Sequence, residues 1–123
     1  MKIVDEACLD LFRLPGRCEH CGKLCSQGRD PHHAEAKGMG GGKRLDIRIN
    51  LCSLCRFCHE DVHAGRIDDS NIWAYIAVRE KLMQDKIREI VWEILRTPRH
   101  KVHSLSEKAK AYVPAIYFEE PWG

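Results

Sequence analysis

Apolar positions divide the chain into three stretches of different rhythm. Residues 1–14 place Cys8, Leu11 and Phe12 on one side of a short helix, which Pro15-Gly16 ends. From Arg17 to about Gly65, cysteine, histidine and glycine crowd together with little helical period. Within that stretch Arg44-Leu45-Asp46-Ile47-Arg48-Ile49 alternates at period two, which predicts a strand with Leu45, Ile47 and Ile49 facing inward. Its hairpin partner is expected around His32-His33-Ala34, across the loop Met39-Gly40-Gly41-Gly42. Cys55 to Ala64 reads as a short helix.

Beyond it, Asp68-Asp69-Ser70 is an N-cap cluster. Ile72, Ile76, Met83, Ile87, Ile90, Val91 and Ile94 then recur mostly three and four apart. This predicts one long amphipathic helix over 71–97, ending before Pro98. The helix can pack on the core or, through Trp73 and Trp92, form a homodimer. Val113 to Phe118 reads as a short strand or extended arm. The expected organisation is an N-terminal segment (1–16), a cysteine- and histidine-rich core (17–67), a long helix (68–98) and a tail (99–123), in an α+β fold.

Composition narrows the setting. The 123 residues are 44% hydrophobic and 31% charged, with a net charge of +2, so overall charge argues only weakly for nucleic acid. Seven cysteines is an odd count, which disfavours a disulfide framework. The start, MKIVDEACLDLF, carries Asp5 and Glu6 and no signal-peptide core. No apolar run approaches the roughly 18 residues that a membrane span needs. The expectation is a cytoplasmic protein without a membrane partner, whose cysteines serve metal rather than bridges.

Two constellations carry chemistry. Cys18-Glu19-His20-Cys21 and Cys55-Arg56-Phe57-Cys58 are two C-x2-C pairs, and two such turns can close a tetrahedral structural Zn2+ site. Cys52 makes a third C-x2-C with Cys55, and Cys25 and His20 are spare ligands, so the register stays open at this point. Cys8 reads as a small buried apolar residue. The second constellation is His32-His33, Asn50 and His59-Glu60-Asp61-Val62-His63. On a helix His59 and His63 lie one turn apart and can reach one ion, and a histidine on the hairpin can supply a third ligand. Three protein ligands with open positions is a catalytic arrangement.

Asp30-Pro31-His32-His33, a Gly-rich loop, Asn50-Leu51, then Leu54-Cys55-Arg56-Phe57-Cys58-His59 and His63 resemble the HNH (ββα-metal) endonucleases. The likeness is to the zinc-containing members common in phages and mobile elements, and it covers Arg17 to Gly65. The order of histidines is also similar to the nuclease domains of DNase colicins. The resemblance implies a β-hairpin and helix clasped around one divalent ion, such as Mg2+, Mn2+, Ni2+ or Zn2+, with DNA as the partner. It implies a catalytic set of His33, Asn50 and His59, with His33 as general base and Asn50 orienting the hairpin. It implies His32, His59 and His63 as ligands of the catalytic ion. Cys18, Cys21, Cys55 and Cys58 match the structural zinc knuckles. Lys37, Lys43, Arg44, Arg48, Arg56 and Arg66 are candidate phosphate contacts. The alternative is a non-catalytic zinc-ribbon module that binds DNA or protein, which leaves the histidines and Asn50 unused.

Overall fold

The computed structural model describes residues 1–119, a mixture of helices and two small antiparallel sheets. Helix α1 (Glu6–Arg13) starts where the Asp5 carboxylate accepts a hydrogen bond from the Cys8 amide, with Glu6 in the first turn. It stops because Leu14 precedes a proline and is extended. The buried face is Leu9 and Phe12, not the expected face with Leu11, which is exposed. Cys8 is only half-buried. The helix begins five residues later than the sequence suggests because residues 1–5 run extended, with Ile3 bridging to Leu45 in parallel.

Strands β1 (Gly16–Arg17) and β2 (Leu24–Cys25) form a small hairpin. Strands β3 (Asp30–His33) and β4 (Leu51–Leu54) form the second, pairing His33 with Leu51 and Asp30 with Leu54. The partner strand therefore lies later than Arg44–Ile49, which is not a strand. Leu45 has only its bridge to Ile3, and Arg48–Asn50 is a 3-10 turn. Leu45, Ile47 and Ile49 are nevertheless buried, so the alternation marked burial rather than strand. The true strand, Leu51-Cys52-Ser53-Leu54, is buried at all four positions. With α1 packed against it on one side and a later helix on the other, it has no period to read.

Helix α2 (Arg56–His63) follows directly, capped by the Cys55 sulfur, which accepts from the Cys58 amide. The long helix expected over 71–97 is two helices, α3 (Asp69–Glu80) and α4 (Gln84–Arg96). Lys81 ends α3 in the left-handed region (φ 57°), and the Leu82 amide reaches back to the Ala77 carbonyl at 3.1 Å, a Schellman-type closure. A lysine rather than a glycine takes this position, so the break leaves no mark on the apolar spacing. Ile72 and Ile76 of α3 and Ile87, Val91 and Ile94 of α4 meet in one core. Trp73 is buried in that core and Trp92 is partly buried, so Trp73 is not offered to a second copy.

After α4 come a 3-10 segment (Arg99–Ser104), the short helix α5 (Glu107–Lys110) and a 3-10 turn over Ala115–Phe118. That turn replaces the expected strand or arm. Val113 is buried, and the Tyr117 hydroxyl accepts from the Val4 amide at 2.9 Å. The last four residues of the tail, 120–123, lie outside the described residues. No helix among the described residues is long and apolar enough to cross a membrane.

Left-handed backbone costs a non-glycine residue roughly 1 kcal/mol, and Lys81 is the one such residue described. Lys81→Gly should stabilise the protein by about 0.5–1 kcal/mol, read as a higher Tm. A fall in Tm would show that the turn is not the strained point it is taken to be.

Candidate metal centres and cleft

All seven cysteines are free thiols, and four of them converge. The Sγ atoms of Cys18, Cys21, Cys55 and Cys58 lie within 4.8 Å of one another. Four sulfurs at about 2.3 Å from a tetrahedral ion sit about 3.8 Å apart, and Cys21 and Cys55 are 3.9 Å apart. The donor set and its spacing fit zinc.

The local sequence builds both halves. At the first knuckle the chain turns between β1 and β2, with the Cys18 amide bonded to the Lys23 carbonyl and the Cys21 amide pointing at the Cys18 sulfur, 3.5 Å away. At the second, the Cys58 amide points at the Cys55 sulfur, 3.4 Å away. Burial raises the Cys58 thiol, whereas at Cys18 the N–H···S contacts favour the thiolate. Burial raises the Cys18 thiol, but amides of Cys21, Cys55 and His20 outweigh it and bring it down to about 7. The Glu19 amide bonds to the Ser53 carbonyl and so ties the first knuckle to β4. The alternative ligands stand outside the cluster. Cys52 is fully buried and donates to Glu19, Cys25 donates to the Lys23 carbonyl, and His20 Nδ1 meets the Tyr75 hydroxyl at 2.6 Å.

The second cluster is His32 on β3 with His59 and His63 on α2. Their nearest ring nitrogens all lie within 4.8 Å of one another, and the Nε2 atoms of His59 and His63 are 3.1 Å apart. Two nitrogens at about 2.05 Å from a tetrahedral ion sit about 3.3 Å apart, so this set can also hold one. Burial, reinforced by the neighbouring rings, pulls His32 down to about 4, so it is neutral and has a lone pair to offer at pH 7. Asp30 orients the set by accepting from His59 Nδ1 at 3.1 Å, which leaves Nε2 facing its neighbours.

His33, the next residue on β3, lines the same cleft but is not part of the triad. Its Nε2 donates to Asp46 Oδ1 at 2.7 Å. Asp46 has no exposed side-chain surface and also accepts from Arg44 Nε and the Asp5 amide. Burial lowers the His33 pKa, and the Asp46 carboxylate opposes that without cancelling it. Burial alone would raise the Asp46 pKa, but Arg44, His33 and the Asp5 amide hold it below the ordinary carboxylate range.

Asn50, wholly buried, makes no hydrogen bond to His33. Its carboxamide accepts from the Glu35 amide and donates to the Leu45 carbonyl, while its own carbonyl takes the Ala34 amide. It closes the loop 35–49 at its base and holds the end of β3 in place.

A cleft of about 860 Å³ opens over the triad and His33. Of the six predicted basic contacts, Lys37, Arg44 and Arg56 line it. Lys43 lies over the Trp92 ring, Arg48 grips Glu80 with two hydrogen bonds, and Arg66 pairs with Asp61. Sequence reasoning missed Arg13, which lines the cleft, and gave no part to Asp30 and Asp46. Asp46 sat at the polar position of an alternating run and so read as solvent-facing; Arg44 two residues before it was the available sign of a pair. No family model, curated protein or solved structure matches this chain.

Two outcomes follow from these contacts. Binding free energy at a structural zinc is folding free energy, on the order of 10 kcal/mol in small peptides. Cys58→Ser should therefore lose bound zinc and its cooperative melt; a variant that keeps both would remove Cys58 from the ligand set. Asp46 stabilises the fold only while ionised, so its contribution is complete above about pH 4 and is lost as pH falls through its depressed folded value. Asp46→Asn should cost roughly 2 kcal/mol at pH 7, with the gap to wild type closing in acid. A gap that stays constant down to pH 2 would show that the charge is immaterial.

Proposed function

We propose that this protein is a metal-dependent DNA endonuclease of the HNH type, with a structural zinc at the four cysteines. What supports this reading most is the placement of a neutral histidine, His33, beside a three-histidine metal set in one cleft, whose lining carries Arg13, Lys37, Arg44 and Arg56 alongside four carboxylates. The β3–β4 hairpin and α2 form the ββα core of that reading. A cytoplasmic setting suits seven reduced thiols.

Phosphodiester hydrolysis needs a proton acceptor for the attacking water, a place for the extra negative charge, and help for the leaving oxygen. Asp46 accepts a hydrogen bond from the Nε2–H of His33, which fixes the tautomer and leaves Nδ1 with its lone pair. His33 Nδ1 then takes the proton from water near neutral pH. His32, His59 and His63 would hold a divalent ion whose chemistry is Lewis-acid stabilisation of charge on the phosphoryl and departing 3′ oxygens. Lys37 and Arg56 at the rim bind the flanking phosphates, and Asp30 keeps His59 turned toward its partners. The products carry 5′-phosphate and 3′-hydroxyl ends.

Incubating the protein with plasmid and Mg2+, Mn2+, Ni2+ or Zn2+ tests the reading directly. His33→Ala should lose about 10²–10⁴-fold in cleavage rate while still binding the second metal. His59→Ala should lose both cleavage and that metal. A His33→Ala protein that cuts normally, or a wild type that binds one metal per chain and cuts nothing, would overturn the assignment and favour a zinc-ribbon binding module.

A further inference from the structure

A second concavity, about 420 Å³, adjoins the histidine cleft and shares Arg13, Asp30, Pro31 and Arg56 with it. Its remaining wall is the turn Gln27-Gly28-Arg29. Among the charged groups here, Arg13 is paired with Asp10 and Glu6, and Arg56 with Asp30. Arg29 has no carboxylate partner among the described residues. Its guanidinium is held by main-chain carbonyls instead, Nε to Leu14 at 2.8 Å and Nη1 to Arg17 at 3.2 Å.

The backbone is shaped to keep that guanidinium where it is. A Cβ on Gly16 would come 2.9 Å from Arg29 Cζ, so the planar group lies directly on the glycine. Gly28 has φ +115°, and a Cβ there would stand 2.8 Å from the Arg13 carbonyl. The Arg29 amide bonds to that same carbonyl at 3.0 Å. The turn is thus clamped to the C-terminal end of α1. A guanidinium has five N–H donors in a rigid fork, and the Leu14 and Arg17 carbonyls engage Nε and Nη1. Nη2 has no hydrogen-bond partner among the described residues, and the immobilised group, with its delocalised positive charge, lines a concavity that adjoins the cleft.

We propose that this concavity binds a backbone phosphate of the DNA strand adjacent to the one being cut, with Arg29 as its fixed contact and Arg13 and Arg56 beside it. The inference rests on the nuclease reading. A preordered cation loses little entropy on binding, so this subsite sets where the strand lies and not the chemistry at His33.

The test compares hydrolysis of a short DNA duplex with that of bis(p-nitrophenyl) phosphate, which is small enough to occupy the histidine cleft alone. Arg29→Gln should raise KM for the duplex about tenfold and reduce the slope of log affinity against log salt by about 1. Hydrolysis of the small diester should stay at the wild-type rate. Gln27 is exposed on the same turn, so Gln27→Glu should raise the duplex KM and Gln27→Lys should lower it. If Arg29→Gln fails to fold, the Gln27 pair decides alone. Wild-type duplex KM and salt slope in these variants, with the duplex still cut, would overturn the subsite and leave the nuclease reading standing. Small-diester activity falling in step with duplex activity would also overturn it. A wild type that does not bind or cut DNA would overturn both.

Discussion

A carboxylate sealed from water is tolerated only when donors surround it, and Asp46 imposes that condition on three separate parts of the chain. The Asp5 amide comes from the start of α1, Arg44 from the end of the Gly-rich loop, and His33 from β3. Of these, only the segment around Arg44 is too irregular to place itself. Residues 44–50 in particular have no ladder, and their position follows from the Ile3 bridge, the Asp46 carboxylate and the Asn50 carboxamide together. The orientation of His33 is then a by-product of satisfying a buried charge, which is why the ring is held firmly without a hydrogen bond to Asn50.

Much of the site was legible in the sequence, and for a chemical reason. Cysteine and histidine in paired spacing have few common uses besides metal binding, so the residues of both clusters could be named before any geometry was known. The spare thiols could not be sorted that way. Cys52 satisfies the same C-x2-C rule as Cys58, and only its burial beneath Glu19 separates them. The fold was less legible wherever the signal had two causes. Leu45, Ile47 and Ile49 alternate because they line the core from an irregular segment, and a strand would have shown the same pattern. β4 hid because both its faces are covered. The two-helix pair at the C-terminal side hid behind Lys81, since left-handed closure normally advertises itself with glycine.

The two candidate metal sets are not independent modules. Cys55 caps α2 and Cys58, His59 and His63 lie within it, so one eight-residue helix and its N-cap carry four of the seven candidate ligands. β3 and β4 lie beside it and supply His32 and, through Asp30, the hydrogen bond that turns His59. The thiol cluster ties this unit to the β1–β2 knuckle, and Arg79 ties it to α3 by bonding Glu19 and the Leu51 carbonyl.

The sulfur cap of α2 has a mechanical meaning as well. At 1.5 Å per residue, His63 stands about 12 Å along the helix axis from Cys55. A tilt of only about 10° at that cap would swing His63 by about 2 Å, whereas metal–ligand distances tolerate about 0.2 Å. An isolated helix this short is also marginal in water. The precision of the imidazole pair is therefore borrowed from the pivot: whatever stiffens the Cys55 end sets the aim of a lever whose far tip carries His63.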